Sequence, residues 1–348
     1  MQKKGNRYGT HRVLEPQGAL PQPAFRVDND MSILYDNEIL CDVITLNVDS
    51  ASFKAILDHA DGKEEKIKEI MLGIVAERGK HQNPWTGSGG MFIGRVKQIG
   101  EALKGKIDLK EGDKIASLVS LSLTPLRIDK IVKIHKENDQ VDIQGQAILF
   151  ASAVWAKLPP DLDEKLALAV LDVAGAPAQV ARLVKPGDTV LVIGANGKSG
   201  LLCCYEAKKR AGISGKVIGT IRRQDARAVV EQSGFVDEVL LAAADDALGM
   251  LAAVERATGG ALADVVINCV SRENCEMGSI LPCRDGGTVY FFSMATSFTK
   301  AALGAEGVGK DVTMLIGNGY CKNHAIITLN VLRESEYLRR VYTERYVR

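Results

Sequence analysis

The stretch Thr189-Val-Leu-Val-Ile193-Gly194-Ala-Asn196-Gly197-Lys198-Ser199-Gly200-Leu-Leu-Cys203-Cys204-Tyr-Glu-Ala-Lys-Lys-Arg210 decides the fold. Apolar β-formers run into Gly194, Gly197 and Gly200, and a helical pattern starts directly after them. Glycine at such places allows a tight turn, lets the backbone approach a pyrophosphate and lets the helix pack close on the strand. The helix N-terminus then offers its N–H groups to the anion. A second strand pattern, Lys216–Ile221, follows at the distance a βαβ unit needs. The combination predicts a dinucleotide site with Gly194, Asn196, Gly197, Lys198, Ser199 and Gly200 in its loop. The bland alternative is a turn that happens to be rich in glycine. A P-loop does not fit, because Lys198 comes too soon after Gly194.

Outward from this loop, helix and strand signals alternate. Strands are expected at Glu238–Leu241, Asp264–Cys269, Thr288–Ser293 and Asp311–Ile316, and helices at Gly200–Ala211 and Ala247–Thr258. That alternation predicts an α/β domain, a Rossmann doubly wound parallel sheet covered on both faces. Ligands of such sheets sit beyond the carboxyl ends of the strands. Asn268, Cys269, Ser293 and Met294 are therefore expected at the nicotinamide half, with ordinary strand-end capping as the alternative. The tip of the second strand reads Thr220-Ile221-Arg222-Arg223-Gln224-Asp225. No carboxylate stands where one would bind a ribose 2′-hydroxyl, and Arg222 and Arg223 can pair with a 2′-phosphate. NADP is feasible, and Asp225 keeps NAD open.

The other half of the chain has a different texture. Residues 1–35 contain Pro16, Pro21 and Pro23 and read as an extended arm. Strand-like runs follow at Asp42–Val48, Met91–Ile99, Lys114–Val119 and Gln146–Phe150. One helix is expected near Lys63–Glu77, where Ile67, Ile70, Met71 and Ile74 recur at helical spacing. Pro159-Pro160 marks the seam. The expectation is a mostly β domain over residues 1–158 and the dinucleotide domain over 159–319. The amphipathic tail, residues 320–348, is expected to return to the first domain.

Composition bounds the partners. The 348 residues hold 44 basic and 43 acidic side chains, a net charge of +1, so nothing global seeks nucleic acid or an anionic membrane. Aromatic residues make up 5%, too few for a base-stacking or sugar-binding surface. The seven cysteines include no C-x-x-C pair, which argues against a disulfide framework or a zinc ribbon. Cys203 and Cys204 are expected in the core. No apolar run is long enough for a membrane span or a signal peptide, so a soluble, cytoplasmic protein is expected. The composition outlier is glycine, at 34 residues against a usual ~7%.

The turns Lys110-Glu-Gly112-Asp113-Lys-Ile115 and Lys185-Pro-Gly187-Asp188-Thr-Val190 resemble the G-D-x-[VI] signatures of the medium-chain dehydrogenase/reductase superfamily. Thr86-Gly87-Ser88-Gly89-Gly90-Met-Phe-Ile-Gly94-Arg-Val is similar to its G-H-E-x-x-G-x-V stretch, with Ser88 and Gly89 where the metal-binding His and Glu would be. The arm Tyr8-Gly-Thr-His11-Arg12-Val-Leu-Glu-Pro16-Gln-Gly-Ala-Leu-Pro-Gln-Pro23-Ala resembles the L-erythro-3,5-diaminohexanoate dehydrogenase family of lysine fermentation. So do Asn83-Pro84-Trp85-Thr86-Gly87-Ser88-Gly89-Gly90-Met91 and Val192–Gly200, and the resemblance covers essentially the whole chain. It implies a GroES-like first domain and a nicotinamide cofactor without metal. The implied reaction is oxidative deamination to 5-amino-3-oxohexanoate and ammonia. It also implies a homodimer, with the strand near Asp311–Ile316 as the edge that pairs.

Such a reaction needs a neutral amine before hydride leaves, and then an activated water, so it needs proton-transfer groups. Without a metal, hydrogen-bond donors must polarise the substrate, and the resemblance places Thr86 and Ser88 there. Asp49 and Ser50, with Ser52, follow the first long strand and are expected to line the substrate cleft. Asp49 is a candidate base or amine holder, or else a cap. His81 is a candidate proton shuttle; His11, His59, His135 and His324 are weaker ones. Arg26 or Arg127 are candidates to clamp a carboxylate. Two other readings stay open: a zinc-independent quinone or enoyl reductase, and a catalytically silent nucleotide-binding module.

Overall fold

The computed structural model describes residues 2–293, 295–317 and 319–347. The chain forms two compact units, residues 1–162 and 163–348. The boundary falls just after the expected seam at Pro159-Pro160.

The first unit begins with an arm carrying a small hairpin, β1 (Val13–Glu15) and β2 (Arg26–Val27). Then come β3 (Glu38–Asn47), α1 (Ser50–His59), α2 (Glu64–Arg78), β4 (Met91–Ile99), β5 (Lys114–Ser117), β6 (Leu126–His135), β7 (Gln140–Phe150) and β8 (Trp155–Lys157). The six longer strands form an antiparallel sheet in the order β6-β7-β3-β4-β5-β8. The expected β character and the α2 helix are there, and α1 and β6 are among the additional elements. Helix α1 is short and ends in His59, and only Phe53 and Ile56 among its large side chains are fully buried. Strand β6 carries Arg127, Asp129, Lys130 and Lys133 at the sheet edge, which masks its period-2 pattern.

The arm is extended, as expected, and one buried ion pair ties it down. Arg12 and Glu38 are both without solvent exposure and meet through two bonds, Nε to Oε1 at 2.7 Å and Nη2 to Oε2 at 2.9 Å. His11 contacts the same carboxylate at 2.8 Å. Burial works to raise the Glu38 pKa, but the bonds from Arg12 and His11 outweigh it and hold the carboxyl below its usual range.

The second unit contains α3 (Glu164–Leu171), α4 (Gly175–Leu183), β9 (Thr189–Ile193), α5 (Lys198–Ala211), β10 (Lys216–Ile221), α6 (Arg227–Glu231), β11 (Glu238–Leu241) and α7 (Ala247–Thr258). It continues with β12 (Ala263–Asn268), α8 (Glu276–Ile280), β13 (Cys283–Phe291), α9 (Phe298–Gly307), β14 (Thr313–Ile316), α10 (His324–Glu334) and α11 (Glu336–Tyr346). All six strands are parallel, in the order β11-β10-β9-β12-β13-β14. This is the doubly wound order, with the chain reversing direction at β9 and β12.

The alternation of side chains explains it. Val190 and Val192 of β9, Val265 and Ile267 of β12, and Tyr290 of β13 enter one core with Cys203, Cys204 and Ala207 of α5. Leu191, Ile193, Val266, Val289 and Phe291 enter a second core with Met250 and Val254 of α7. The central stretches of β9, β12 and β13 are apolar on both sides because both faces are covered. Cys203 and Cys204 are fully buried, as their sequence context predicts. Strand β13 starts earlier than expected, at Cys283, because its register against β12 shifts across Gly286-Gly287.

The tail corrects an expectation. Residues 321–348 belong to the second unit. Thr328 donates to the Ala174 carbonyl at 3.1 Å, and Glu334 accepts from Tyr205 and Lys209, each at 2.6 Å. Tyr337 donates to the Val229 carbonyl at 2.6 Å. The apolar faces of α10 and α11 lie on helices of the dinucleotide domain, so the tail does not return to the first unit. Among the described residues no single helix is long and apolar enough to cross a membrane.

The Arg12–Glu38 pair gives a direct test. Arg12→Met should leave the buried Glu38 with only His11 and the Tyr35 amide as partners, at a cost of about 3 kcal/mol. Calorimetry should show a Tm lowered by on the order of 10 °C for the transition of the first unit.

Candidate active site

The glycine loop lies where the sequence places it. Gly194 has φ +82°, a left-handed conformation that favours glycine. A Cβ on Gly200 would lie 2.1 Å from the Gly194 carbonyl oxygen, so only glycine lets α5 start this close to β9. Gly197 precedes α5 with no side-chain cap, leaving the N–H groups of its first turn for an anion. Thr220 is buried and latches the loop: its Oγ1 accepts from the Gly194 amide at 3.4 Å and its carbonyl accepts from the Ala195 amide at 2.9 Å.

A cavity of about 250 Å³ opens at the carboxyl ends of β9, β10, β11 and β12. Gly194, Asn196, Gly197, Thr220, Arg222 and Cys269 line it, as expected. Asp245 and Arg272 line it too, joined by an ion pair of 2.8 Å, and the sequence reading missed both. They come from loops after β11 and β12, where no motif marks them. Arg222 makes no ion pair among the described residues, whereas exposed Arg223 pairs with Asp225 at 3.1 Å.

The expected cofactor residues also have partners within the protein. Asn268 is buried, donates to Ser279 Oγ at 2.9 Å and accepts from the Val270 amide at 2.9 Å; it braces the strand end. Ser293 is buried and accepts from the Ala295 amide at 3.1 Å. Met294 lies outside the described residues. Lys198 pairs with Asp172 at 2.8 Å, and Ser199 is buried in the first turn of α5. Cys269 is half-buried, with its thiol 3.8 Å from that of Cys203. Helix α11 also contributes: Arg345 donates to the Asn196 carbonyl at 2.9 Å and Tyr342 to the Lys198 carbonyl. Placing the tail in the wrong unit hid these two contacts.

In the first unit a second cluster forms around the loop before β4. Asp49 caps α1 through Oδ1 and the Ser52 amide, 2.9 Å apart. Ser52 is fully buried and its Oγ lies 2.6 Å from Thr86 Oγ1. Asn83, also buried, donates to the Ser52 carbonyl at 3.0 Å and accepts from the amides of Trp85 and Thr86. The Ser88 amide donates to Thr86 Oγ1 at 3.3 Å. Asp49, Ser52, His81, Asn83, Thr86 and Ser88 thus share one neighbourhood. Ser50 does not join them; it is exposed and donates to Asp139 at 2.6 Å. His11 belongs to the arm, His135 pairs with Asp142 at 2.8 Å, and His59 stacks on Trp85 at 3.7 Å. His324 starts α10 in the second unit, with its imidazole pushed down by burial. Arg127 pairs with Asp129 at 2.9 Å, and Arg26 is exposed on β2.

Over nearly the whole length of both chains (99% of this one, 100% of the other), the sequence is 61% identical to an L-erythro-3,5-diaminohexanoate dehydrogenase of Acetoanaerobium sticklandii. The chain belongs to the L-erythro-3,5-diaminohexanoate dehydrogenase family. A second relative of the same name, from Fusobacterium nucleatum, is 58% identical over 99% of this chain and all of its own. The family's N-terminal domain model matches residues 11–159. Among solved structures, Escherichia coli quinone oxidoreductase complexed with NADPH superposes with a TM-score of 0.53 at 16% identity, covering 89% of this chain and 81% of that one. That likeness carries the fold.

This member of the 3,5-diaminohexanoate dehydrogenases carries Ser88 and Gly89 in the loop before β4. Among the described residues no group of three His, Cys, Asp or Glu side chains is arranged to hold a metal ion. The cavity at the glycine loop suits a dinucleotide: Gly197 and the start of α5 would hold the pyrophosphate, and Arg222 the adenosine ribose side.

Lys80 anchors the arm beside this cluster. It is fully buried and donates to the carbonyls of Pro21 at 2.7 Å and Gln22 at 3.2 Å. Burial, with Arg78 nearby, pushes its pKa down to about 8. From pH 8 to about 10.4 the unfolded chain therefore holds a proton that the folded chain has released, and stability rises with pH. Lys80→Met should remove that rise. Urea unfolding at pH 7.5 and 9.5 should show the wild type gaining on the variant by on the order of 2 kcal/mol.

Proposed function

We propose that the chain catalyses the oxidative deamination of L-erythro-3,5-diaminohexanoate to 5-amino-3-oxohexanoate and ammonia, reversible as reductive amination. Its identity of 61% over the full length of a dehydrogenase of that name carries this reading. The cofactor is a nicotinamide dinucleotide, which supplies the acceptor for the hydride from C3. The protein's part is positional and electrostatic. The glycine loop and the N-terminus of α5 fix the pyrophosphate, and Thr86 and Ser88 offer hydroxyls to the reacting nitrogen or oxygen in place of a metal. The ammonium at C3 loses a proton first, because only a neutral nitrogen can push electrons toward carbon as hydride leaves. Water then adds to the iminium carbon, and ammonia departs.

Purified protein with the diamine and oxidised cofactor should produce absorbance of the reduced cofactor, with activity unchanged after prolonged chelation. Quinone reduction without diamine turnover would favour the reductase reading, and activity restored by zinc would contradict the metal-free one. A homodimer in the cytoplasm is part of the same proposal.

Arg222 supports NADP as the preferred cofactor, since it lines the cavity without an ion-pair partner among the described residues. Asp225, the acid that would favour NAD, is engaged with Arg223. A charge-assisted contact to a 2′-phosphate is worth about 1.5–3 kcal/mol. Arg222→Ala should therefore weaken NADPH binding by about 10- to 100-fold and leave NADH within a factor of about two. Equal effects in a fluorescence titration would refute the role.

A further inference from the structure

The cluster in the first unit leaves two ionisable side chains unsatisfied. Asp49 uses Oδ1 to cap α1, while its Oδ2 is buried and makes no hydrogen bond. His81 is fully buried, and neither Nδ1 nor Nε2 has a hydrogen-bond partner. Buried polar groups are hydrogen-bonded in roughly 90% of cases or more, so three orphaned atoms in one place need a reason.

The fold brings them together through Gly89-Gly90. A Cβ on Gly89 would lie 2.4 Å from the His81 carbonyl oxygen, and one on Gly90 would lie 2.7 Å from the Asp49 amide nitrogen. The loop bearing Thr86 and Ser88 is thus wedged between the backbones of the two residues. Electrostatics agrees with the geometry. Burial pushes the His81 imidazole down to about 4, and the charge on Asp49 opposes this, with the carbonyls of Gly89 and His81 nearby. A neutral imidazole offers one donor and one acceptor. Three further charged or titratable groups surround the cluster, and each is bound elsewhere. Lys80 holds the arm carbonyls, Asp139 accepts from Ser50, and His59 stacks on Trp85. From the pair, Ser52 and Thr86 lead outward: Ser52 is buried and bonded to Asp49 through its amide, and Thr86 is exposed.

We propose that Asp49 and His81 form a buried proton-holding pair for the deamination, with the Ser52–Thr86 hydroxyls as its outlet. The idea rests on the amine dehydrogenase reading above. The reaction converts substrate ammonium, oxidised cofactor and water into ketone, ammonium ion, reduced cofactor and one proton. The C3–H bond breaks with its electron pair going to the cofactor. Water forms the C–O bond and the C–N bond breaks with its pair on nitrogen. One proton is left over, and the pair is its first holder. Taking it up neutralises the negative charge that stands near the neutral His81 ring. His81 reaches no surface and acts through Asp49, so it is a positioning residue.

The test uses the full-length protein and the variants His81→Phe, His81→Gln and Asp49→Asn. Retained NADPH binding by the second unit confirms folding of that unit, and the circular dichroism of each variant is matched to the wild type. The acid limb of kcat/KM should move up by about one pH unit or more in His81→Phe, which replaces the polar ring near the carboxylate with an apolar one. It should stay near the wild-type position in His81→Gln, which keeps a polar side chain there. In histidine-labelled protein, NMR should show the His81 ring neutral at pH 6, and Asp49→Asn should shift its titration further down. An unmoved pH profile in His81→Phe, or a His81 titration indifferent to Asp49→Asn, overturns the pair. If the wild type fails to oxidise the diamine, the NMR arm still decides the pair while the deamination reading falls alone.

Discussion

The closeness of α5 to the end of β9 governs the second unit. Gly200 meets the Gly194 carbonyl with no room for a methyl group, so the helix starts almost on the strand. That contact aims the first-turn N–H groups of α5 at the mouth of the cavity. It also sets the depth at which Cys203, Cys204 and Ala207 enter the core against β9 and β12. Thr220 from β10, and Arg345 and Tyr342 from α11, then hold the loop from outside. A loop of this kind tolerates little motion because two separate elements own its hydrogen bonds.

The first unit solves a different problem. Its loop before β4 carries Ser88 and Gly89. What stands there is a network of hydroxyls and amides closed by Asn83, Ser52 and Thr86. Electrostatic stabilisation by fixed donors can replace a Lewis acid only if the donors are already ordered. Asn83, with its side chain bonded on both sides and fully buried, supplies that order.

Much of this was legible in the sequence. The parallel sheet could be read because β9, β10 and β12 are buried on both faces and are mostly apolar between turn signals. The glycine loop could be read because its spacing answers to one geometry. The failures have physical causes. Helices α10 and α11 are amphipathic, and amphipathicity says that a face is buried but not against what. Asn268 and Ser293 sit at strand ends, where a polar residue can cap the backbone or meet a ligand, and each accepts a backbone amide two residues on. Asp245 and Arg272 find each other across two loops, a contact that no local pattern encodes. Asp49 satisfied the cap reading and kept a second oxygen in reserve, so the two readings of it were never exclusive.

The strand order has a consequence for how the chain emerges and folds. β9 pairs with β10 and, on its other edge, with β12. During synthesis β10 and β11 appear first, so β11-β10-β9 can assemble while the second edge of β9 stands open. That edge presents Val190 to Ile193, with unbonded amides, until β12 has been made. An apolar open edge is a template for pairing with another chain, and long-range parallel pairing is slow to close it. The strand that later cradles the cofactor is therefore the most vulnerable to mispairing in the newborn domain. Conditions that slow the arrival of β12 should channel the protein toward aggregates rather than toward a loosely folded monomer.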